Sequence, residues 1–540
     1  MSPRLQIHER SVRCSWRAIF VAMCGIAFAG PGIAQAWGQW EQSHMLTVAG
    51  AADWDGLGLS VAIDGDIAIV GVPLDDDAGS NSGSAYLFDV TTGAQLHKLT
   101  ADDGAAFDVF GVSVGISGGI VIVGARADDD AGESSGSAYL FDVTTGQQLH
   151  KLTAEDAAEL DFFGNRVSIS GDIAIVGATG DDDAGSGSGA AYLFDVATGE
   201  QLHKLTAADA AEEDRFGHSV AISGANAIVG SWHDDDAGDS SGSAYLFDVA
   251  TGQQLHKLAA DDGAPEDLFG DSVAISEGIA IVGARWDDDA CSSDPLCDSG
   301  SAYLFDVTTG QQLHKLTAED AAADESFGNS VAISGDIAIL GVRRDDDACP
   351  SEPLCDSGSA YLFDVTTGQQ LQKLTAEDAA ANEWFGTSVA ISGGLAIVGA
   401  PGNHDAGPGS GSAYVFEEVG LCDDEDGDSS VTICHFPPGN PENARTITVG
   451  VDAVPAHLAH GDHCGPCEED DGLLMGGSSN ADHDDCSADL DDSGGIGAAD
   501  LAQILGAWGP NSNNPADLSG DGEVGPADLA ILLGNWGPCP

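Results

Sequence analysis

The sequence predicts a mainly β fold, a seven-bladed β-propeller of four-stranded blades, and three observations carry the expectation. First, the phrase Phe-Gly-x-x-Val recurs at Phe110, Phe163, Phe216, Phe269, Phe327 and Phe385, and Leu57-Gly58 fills the same place in an earlier copy. The spacing is 53 residues four times and 58 twice, so seven units result. Second, each unit holds four short runs rich in β-branched and aromatic residues, bounded by Gly, Asp and Ser, with no 3.6-residue period. In the second unit these are Val112–Ser117, Ile120–Ala125, Ser137–Phe141 and Gln148–Thr153. Third, the array is out of phase with itself. It begins with His44-Met45-Leu46-Thr47, which matches a fourth strand, and ends at Ser412-Ala413-Tyr414-Val415-Phe416, which matches a third. The N-terminal strand can therefore complete the last blade and close a ring, whereas an open solenoid would need caps on both edges.

Taken in chain order, residues 1–36 read as a secretory signal peptide. Arg4, Arg10, Arg13 and Arg17 precede the apolar run Ala18–Ala29, and Ala34-Gln35-Ala36 supplies the small residues of a cleavage site. The run is shorter than the ~20 residues needed to cross a bilayer. The expected destination is secreted, extracellular or cell-surface associated, with cysteines in an oxidising setting. With 17 Lys+Arg against 89 Asp+Glu the net charge is −72. That excludes counterion-releasing contact with nucleic acid and docking on an anionic membrane, and favours divalent cations or basic partners.

The propeller spans residues 43–418. Its Phe-Gly phrase followed by Val-Gly-Ala, as at Phe385-Gly386 and Val398-Gly399-Ala400-Pro401, resembles the FG-GAP repeat family, the blades of integrin α-subunits and of many exported bacterial proteins. The resemblance implies a ligand-binding or adhesive role. The calcium loop of integrin-type blades is not carried over, because here that connection is a hairpin such as Ser170-Gly171-Asp172.

Acid clusters one loop later instead. Asp75 and Asp77, Asp128 and Asp130, Asp181 and Asp183, Asp234 and Asp236, Asp287 and Asp289, and Asp345 and Asp347 flank the centre of six equivalent Asp-Asp-Asp triplets; the seventh copy keeps His404-Asp405. Such oxygens suit calcium, and equally a solvated acidic rim. Lys98, Lys151, Lys204, Lys257, Lys315 and Lys373 share one register on the proposed outermost strand, where charge discourages edge pairing. The preceding His97, His150, His203, His256 and His314 are expected to be structural, being too dispersed for a metal site. Cys291 with Cys297 and Cys349 with Cys355 bracket five-residue inserts and are expected to form local disulfides worth ~2 kcal/mol each.

Residues 419–485 form an acidic Cys/His-rich module and linker. His457, His460 and His463 lie near Cys434, Cys464 and Cys467, a set suited to zinc or copper or to a disulfide-pinned minidomain. Residues 486–540 carry two twelve-residue calcium loops. Asp489, Asp491, Ser493, Gly495 (through its carbonyl) and Asp500 occupy ligand positions 1, 3, 5, 7 and 12 of the first loop. Asp517, Ser519, Asp521, Glu523 (carbonyl) and Asp528 repeat them 28 residues later. Each loop runs into a short helix ending at Trp508 or Trp536. This duplicated loop–helix resembles a dockerin, which implies Ca2+ as cofactor and a cohesin-like protein or cell-surface scaffold as partner. Ala498-Ala499 and Pro526-Ala527 replace the hydroxyl residues that help dockerins read cohesin. Cys486 and Cys539 flank the module and are placed to clasp its ends.

Three functions compete. The first is a non-catalytic scaffold presenting a protein- or glycan-binding face, and the second is adhesion in the integrin manner. The third is polysaccharide breakdown by a glycoside hydrolase, tethered as dockerin-bearing enzymes commonly are. A glycosidase needs two carboxylates in unlike settings, and acids that recur in every blade do not provide that pair.

Overall fold

The computed structural model describes residues 39–48, 52–288, 298–347, 355–419, 430–435 and 445–450, and the pairs 463–464, 495–496, 509–510, 523–524 and 537–538. The chain divides into two compact units, Met1–Cys467 and Glu468–Pro540. Among the described residues all regular structure is strand, and no helix is long and apolar enough to cross a membrane.

The first unit holds seven four-stranded antiparallel sheets, the blades of a propeller. In the second blade the strands are Phe110–Ser117, Ile120–Ala125, Ser137–Asp142 and Gln148–Leu152, and they pair in that order. The innermost strand starts two residues earlier than its β-branched run predicts, because Phe110 pairs with Ala125 beyond a bulge. Strand-like patterning does not register such a bulge.

The repeated phrase has a packing cause. Phe163 is fully buried, with ring centroids 5.6 Å from Tyr192 and 5.7 Å from Phe194. Around it, Ile122 and Leu140 of one blade meet Val167, Val176 and Tyr192 of the next. Each buried side chain of this size contributes about 1.5–3 kcal/mol, and only a neighbouring sheet can cover it. The adjoining glycines allow that approach. A Cβ on Gly124 would stand 2.0 Å from the Gly164 carbonyl oxygen of the next blade, and Gly164 itself has φ +85°. Blades therefore interlock backbone to backbone at this end.

Closure follows the predicted phase. Gln39–Leu46 pairs antiparallel with Ser412–Val419, running from Gln39↔Val419 to Leu46↔Ala413, so the first strand becomes the outermost strand of the seventh blade. A parallel bridge Leu57↔Gly411 completes the series otherwise made by Gly136↔Phe163 and its equivalents. The outer histidines are staples between blades. Nε2 of His97, His150, His203, His256 and His314 lies 3.0–3.1 Å from the carbonyls of Thr144, Ala197, Ala250, Thr308 and Thr366. Where the next turn is missing, at the closure, Gln372 replaces histidine and its amide bonds both the N–H and the C=O of Trp40, at 2.8 and 2.7 Å.

Beyond the ring, Ser430–His435 pairs with Arg445–Gly450 and with His463–Cys464, and the register sets Cys434 opposite His463. In the second unit Gly495–Ile496 pairs with Gly537–Pro538, and Glu523–Val524 with Gly509–Pro510. Positions 7 and 8 of each predicted calcium loop thus pair with the segment after the other copy's Trp, a reciprocal arrangement matching the duplicated sequence. The remaining predicted ligands Asp489, Asp491, Ser493, Asp500, Asp517, Ser519, Asp521 and Asp528 lie outside the described residues, as do the signal segment, His457, His460, Asp289, Cys291, Cys297, Cys349, Cys486 and Cys539. Cys355 is buried and disulfide-bonded.

Candidate functional site at the channel mouth

The acidic triplets form one repeated device. In the third blade Asp181 is buried, and its Oδ2 accepts from the Tyr192 hydroxyl at 2.7 Å and from Lys204 Nζ at 2.7 Å. Lys204 also donates to Asp183 at 2.6 Å and to Asp156, from the interblade loop, at 2.8 Å. Its ammonium lies 5.4 Å from the Tyr192 ring centroid. Lys151 gathers Asp103, Asp128 and Asp130 in the same way; Lys257 gathers Asp209, Asp234 and Asp236, and Lys373 gathers Asp320, Asp345 and Asp347. Lys98 meets Asp75 and Asp77, and Lys315 meets Asp262 and Asp287. These carboxylates raise the lysine ammonium's pKa despite its partial burial. The lysines do lie on outer strands, but their heads fold back onto the loops rather than blunting an edge. Opposite charge at hydrogen-bond range outweighs free hydration of the ammonium.

The carboxylate oxygens of Asp156, Asp181 and Asp183 lie within 4.8 Å of one another, close enough to hold a metal, with the lysine ammonium bonded to all three. The seventh blade shows what happens without the lysine. Met45 pairs with Tyr414 where Lys204 pairs with Tyr192. There the buried acid is replaced as well: Asn403 donates to the Tyr414 hydroxyl at 3.0 Å and to Glu383 at 3.2 Å. Asn403 keeps the turn bond from the Asp405 N–H, at 2.9 Å, but drops the charge and donates to the tyrosine hydroxyl where aspartate accepts from it.

A second ring of acids lies in the loops between blades. The Asp108 carboxylate accepts from the Ala105 N–H at 2.7 Å, and Glu325 from the Ala322 N–H at 2.8 Å. Burial pushes Asp108 and Asp161 up to about 6 and Glu325 up to about 7, with the charges of Asp128, Asp181 and Asp345 adding to the effect. Because these folded values exceed the unfolded ones of 3.8 and 4.5, the stability they contribute is complete at low pH and is lost as pH rises through 6 to 7. The lysine-paired Asp156, Asp262 and Asp320 are held below 3.8 and cost stability only in stronger acid. The melting temperature is therefore expected to rise by about 2–5 °C from pH 8 to pH 5. Glu325→Gln should flatten the part of that slope above pH 6; a curve flat or falling from pH 8 to 5 would refute the assignment.

What sets the copies apart lies elsewhere. Ser-Ala-Tyr-Leu-Phe-Asp is identical at 84–89, 137–142, 243–248, 301–306 and 359–364. By contrast, the residue after each Phe-Gly is Leu59, Val112, Asn165, His218, Asp271, Asn329 or Thr387. The residue closing the second strand's Gly-Ala phrase is Pro73, Arg126, Thr179, Trp232, Arg285, Arg343 or Pro401. Both columns lie at the same end of the blades, and six members of the first and four of the second line the central channel, whose cavity of about 470 Å³ is bounded by the innermost strands of all seven blades. Arg126, Arg166, Arg285 and Arg343 line it against the single carboxylate of Asp271. Outside the predicted leader there are only seven arginines, and with Arg344 beside Arg343 five of them gather here.

Asp271 accepts from His218 Nε2 at 3.2 Å and meets Arg285 at 3.4 Å. Burial opposes its charge, but His218, Arg285 and Arg166 hold its pKa low. Burial lowers the pKa of His218, and Arg166 and Arg285 reinforce the shift. Trp232 stacks with both His218 and His233, with ring centroids 4.3 Å apart in each pair, and the Arg285 guanidinium lies 5.2 Å from its ring. Two buried donors, Trp232 Nε1 and Arg285 Nε, have no hydrogen-bond partner among the described residues. Arg166 and Arg343 are also pushed down, first by burial and then by like-charged neighbours.

Beside the channel lies a cavity of about 380 Å³, lined by Trp54, Leu74, Pro73, Arg344, Trp384 and Pro401 among others. Leu59, Arg343 and Thr387 line both spaces, so the two are contiguous. Trp54 and Trp384 stand on interblade loops at φ +72° and +56°, conformations that L-residues adopt at a cost. Trp54 is 62% exposed and Trp384 39%. In the sequence the 89 Asp+Glu mask this cluster, whose members fall in seven different copies of the repeat or the loops between them. The signal available was a column-by-column comparison of the seven copies.

Among curated proteins no relative matches. A solved structure, that of the computationally designed Ika8 protein, is 15% identical with a TM-score of 0.41 over 69% of this chain and all of its own, a likeness too slight to carry an argument. The family model described as FG-GAP repeat matches residues 40–88, 94–141, 147–194, 200–247, 253–305, 311–363 and 369–416. Its copies start in an outer strand and end in a third strand, the phase that closes the ring, and they cover well over half of the chain, which therefore belongs to the FG-GAP repeat family.

Proposed function

We propose that this is an exported, non-catalytic binding protein whose propeller engages its ligand at the channel mouth and whose C-terminal module attaches it, through calcium, to a cohesin-like partner or cell-surface scaffold. One observation carries the binding face: near-identical blades differ most at one end, in the two columns that border the channel and in the loop residues beside them, from Trp54 and Gly56 of the first blade to Asn382 and Trp384 of the seventh. Packing holds buried strand phrases such as Ser-Ala-Tyr-Leu-Phe-Asp nearly uniform, whereas a surface that recognises an asymmetric ligand has to break the ring's symmetry. The attachment half rests on the duplicated calcium-loop sequence at 489–500 and 517–528.

The lysine-centred acid loops support a division of labour, in which the propeller supplies its own cations and the tail takes Ca2+. Zinc or copper at His457, His460 and His463 is a separate proposal, to be read from metal content after purification. Full-length protein should lose ligand capture when Trp54, Trp384 and the exposed Trp286, whose ring centroid lies 5.5 Å from the Arg285 guanidinium, are changed together to alanine. Capture should survive the same treatment of Leu149, Leu202 and Leu255 on the outer strands. A chelator should release the protein from the cell-surface fraction while leaving capture by the propeller intact. Hydrolysis of plant or algal glycans by the purified chain would instead favour the enzyme reading.

A further inference from the structure

We infer that the contiguous cavity at blades six, seven and one binds an acidic sugar residue, a uronate or a sulfated sugar, with its ring on Trp54 and Trp384 and its anionic group on Arg343 and Arg344. The inference deepens the reading of the channel mouth as the ligand face and rests on it.

Three properties of the cavity select that chemistry. Two partly exposed indoles, Trp54 and Trp384, on the wall of a concave space suit the C–H face of a sugar ring, which is apolar and flat. The guanidinium groups are under-neutralised: among the described residues neither has an ion-pair partner within 4.0 Å, and Arg343 has Arg344 and Arg285 as like-charged neighbours against the more distant influence of Asp271 and of Asp356, which lines the same cavity; its backbone N–H donates to Asn329 Oδ1 at 3.2 Å. A carboxylate or sulfate there accepts paired charge-assisted bonds and relieves the mutual repulsion. Third, the space is pocket-sized, about 380 Å³, which suits one or two sugar units rather than the broad contact a folded acidic protein makes. The surrounding net charge of −72 repels a long polyanion, so the ligand is a short oligosaccharide or a chain end.

The test titrates full-length protein with trigalacturonate, its methyl ester, a sulfated carrageenan disaccharide, cellotriose and hexa-aspartate, at low and moderate salt. At least one acidic sugar should bind tenfold or more tighter than both neutral sugars and the peptide, and the two acidic arms tell uronate from sulfate. Arg343→Gln and Trp384→Ala should each weaken that binding about tenfold to a hundredfold, with Arg343→Lys intermediate. Should Arg343→Gln lower the melting temperature, the exposed Arg344→Gln gives the same comparison without that change. Equal affinity for acid and ester, no binding of either acid, tighter binding of the peptide, or acid binding indifferent to both arginine variants would each overturn the inference. If the triple tryptophan variant still abolishes capture of the natural ligand in those cases, only the sugar class falls; if capture persists, the channel-mouth reading falls with it.

Discussion

Lys204→Met should destabilise the propeller by about 2–4 kcal/mol, and adding Asp181→Asn should recover most of the loss. Removing one partner of a buried pair leaves an uncompensated charge, typically worth about 3–5 kcal/mol. The figure is reduced here because Lys204 keeps 20% of its side chain in solvent and because Asp156 and Asp183 can rehydrate. The double variant copies the seventh blade, where Met45 and Asn403 already stand together and Asn403 bonds to Tyr414 without a formal charge. A double-mutant cycle by chemical denaturation would read a coupling of at least about 1 kcal/mol. A single variant as stable as the parent would show that the lysine is not the counter-charge. The same variant addresses the metal question. Without the ammonium, the carboxylates of Asp156, Asp181 and Asp183 are free to collect a divalent ion, so added calcium restoring its stability would identify the loop as a metal site occupied by lysine.

The tail should respond to calcium and the propeller should not. If residues 486–540 fold around two calcium loops, saturating Ca2+ at 100 times the dissociation constant adds about 2.7 kcal/mol per loop to that module, and the loss of both Asp489 and Asp517 removes it. Calorimetry of the full chain should then show one transition that moves with calcium and a second, belonging to the propeller, that does not. Alanine at Asp489 and Asp517 together should abolish the first and leave the second in place. A single calcium-independent transition in the parent chain would remove the basis for calcium-controlled attachment.

Several features of this protein are local enough to read directly. The 53-residue period, the alternation within each strand and the Gly-bounded turns depend on neighbours a few residues away, and the offset between His44–Thr47 and Ser412–Phe416 is enough to imply closure. The histidine register could also be judged structural, since residues one blade apart cannot share an ion.

Other features depend on partners that sequence order keeps apart. Lys204 lies 23 residues from Asp181 and 48 from Asp156, so the lysine column and the acidic column read as separate surfaces until the outer strand folds beside the loop. The arginines of the channel are scattered from Arg126 to Arg344 among seven copies, and none stands out in its own unit. Only the closing of the ring brings one end of every blade to a common axis, turning single departures from a repeat into a concentrated positive site on an otherwise acidic protein. Periodicity determined that there is a ring; which residues face its centre was decided by closure, because convergence is a property of the whole circle and of no single blade.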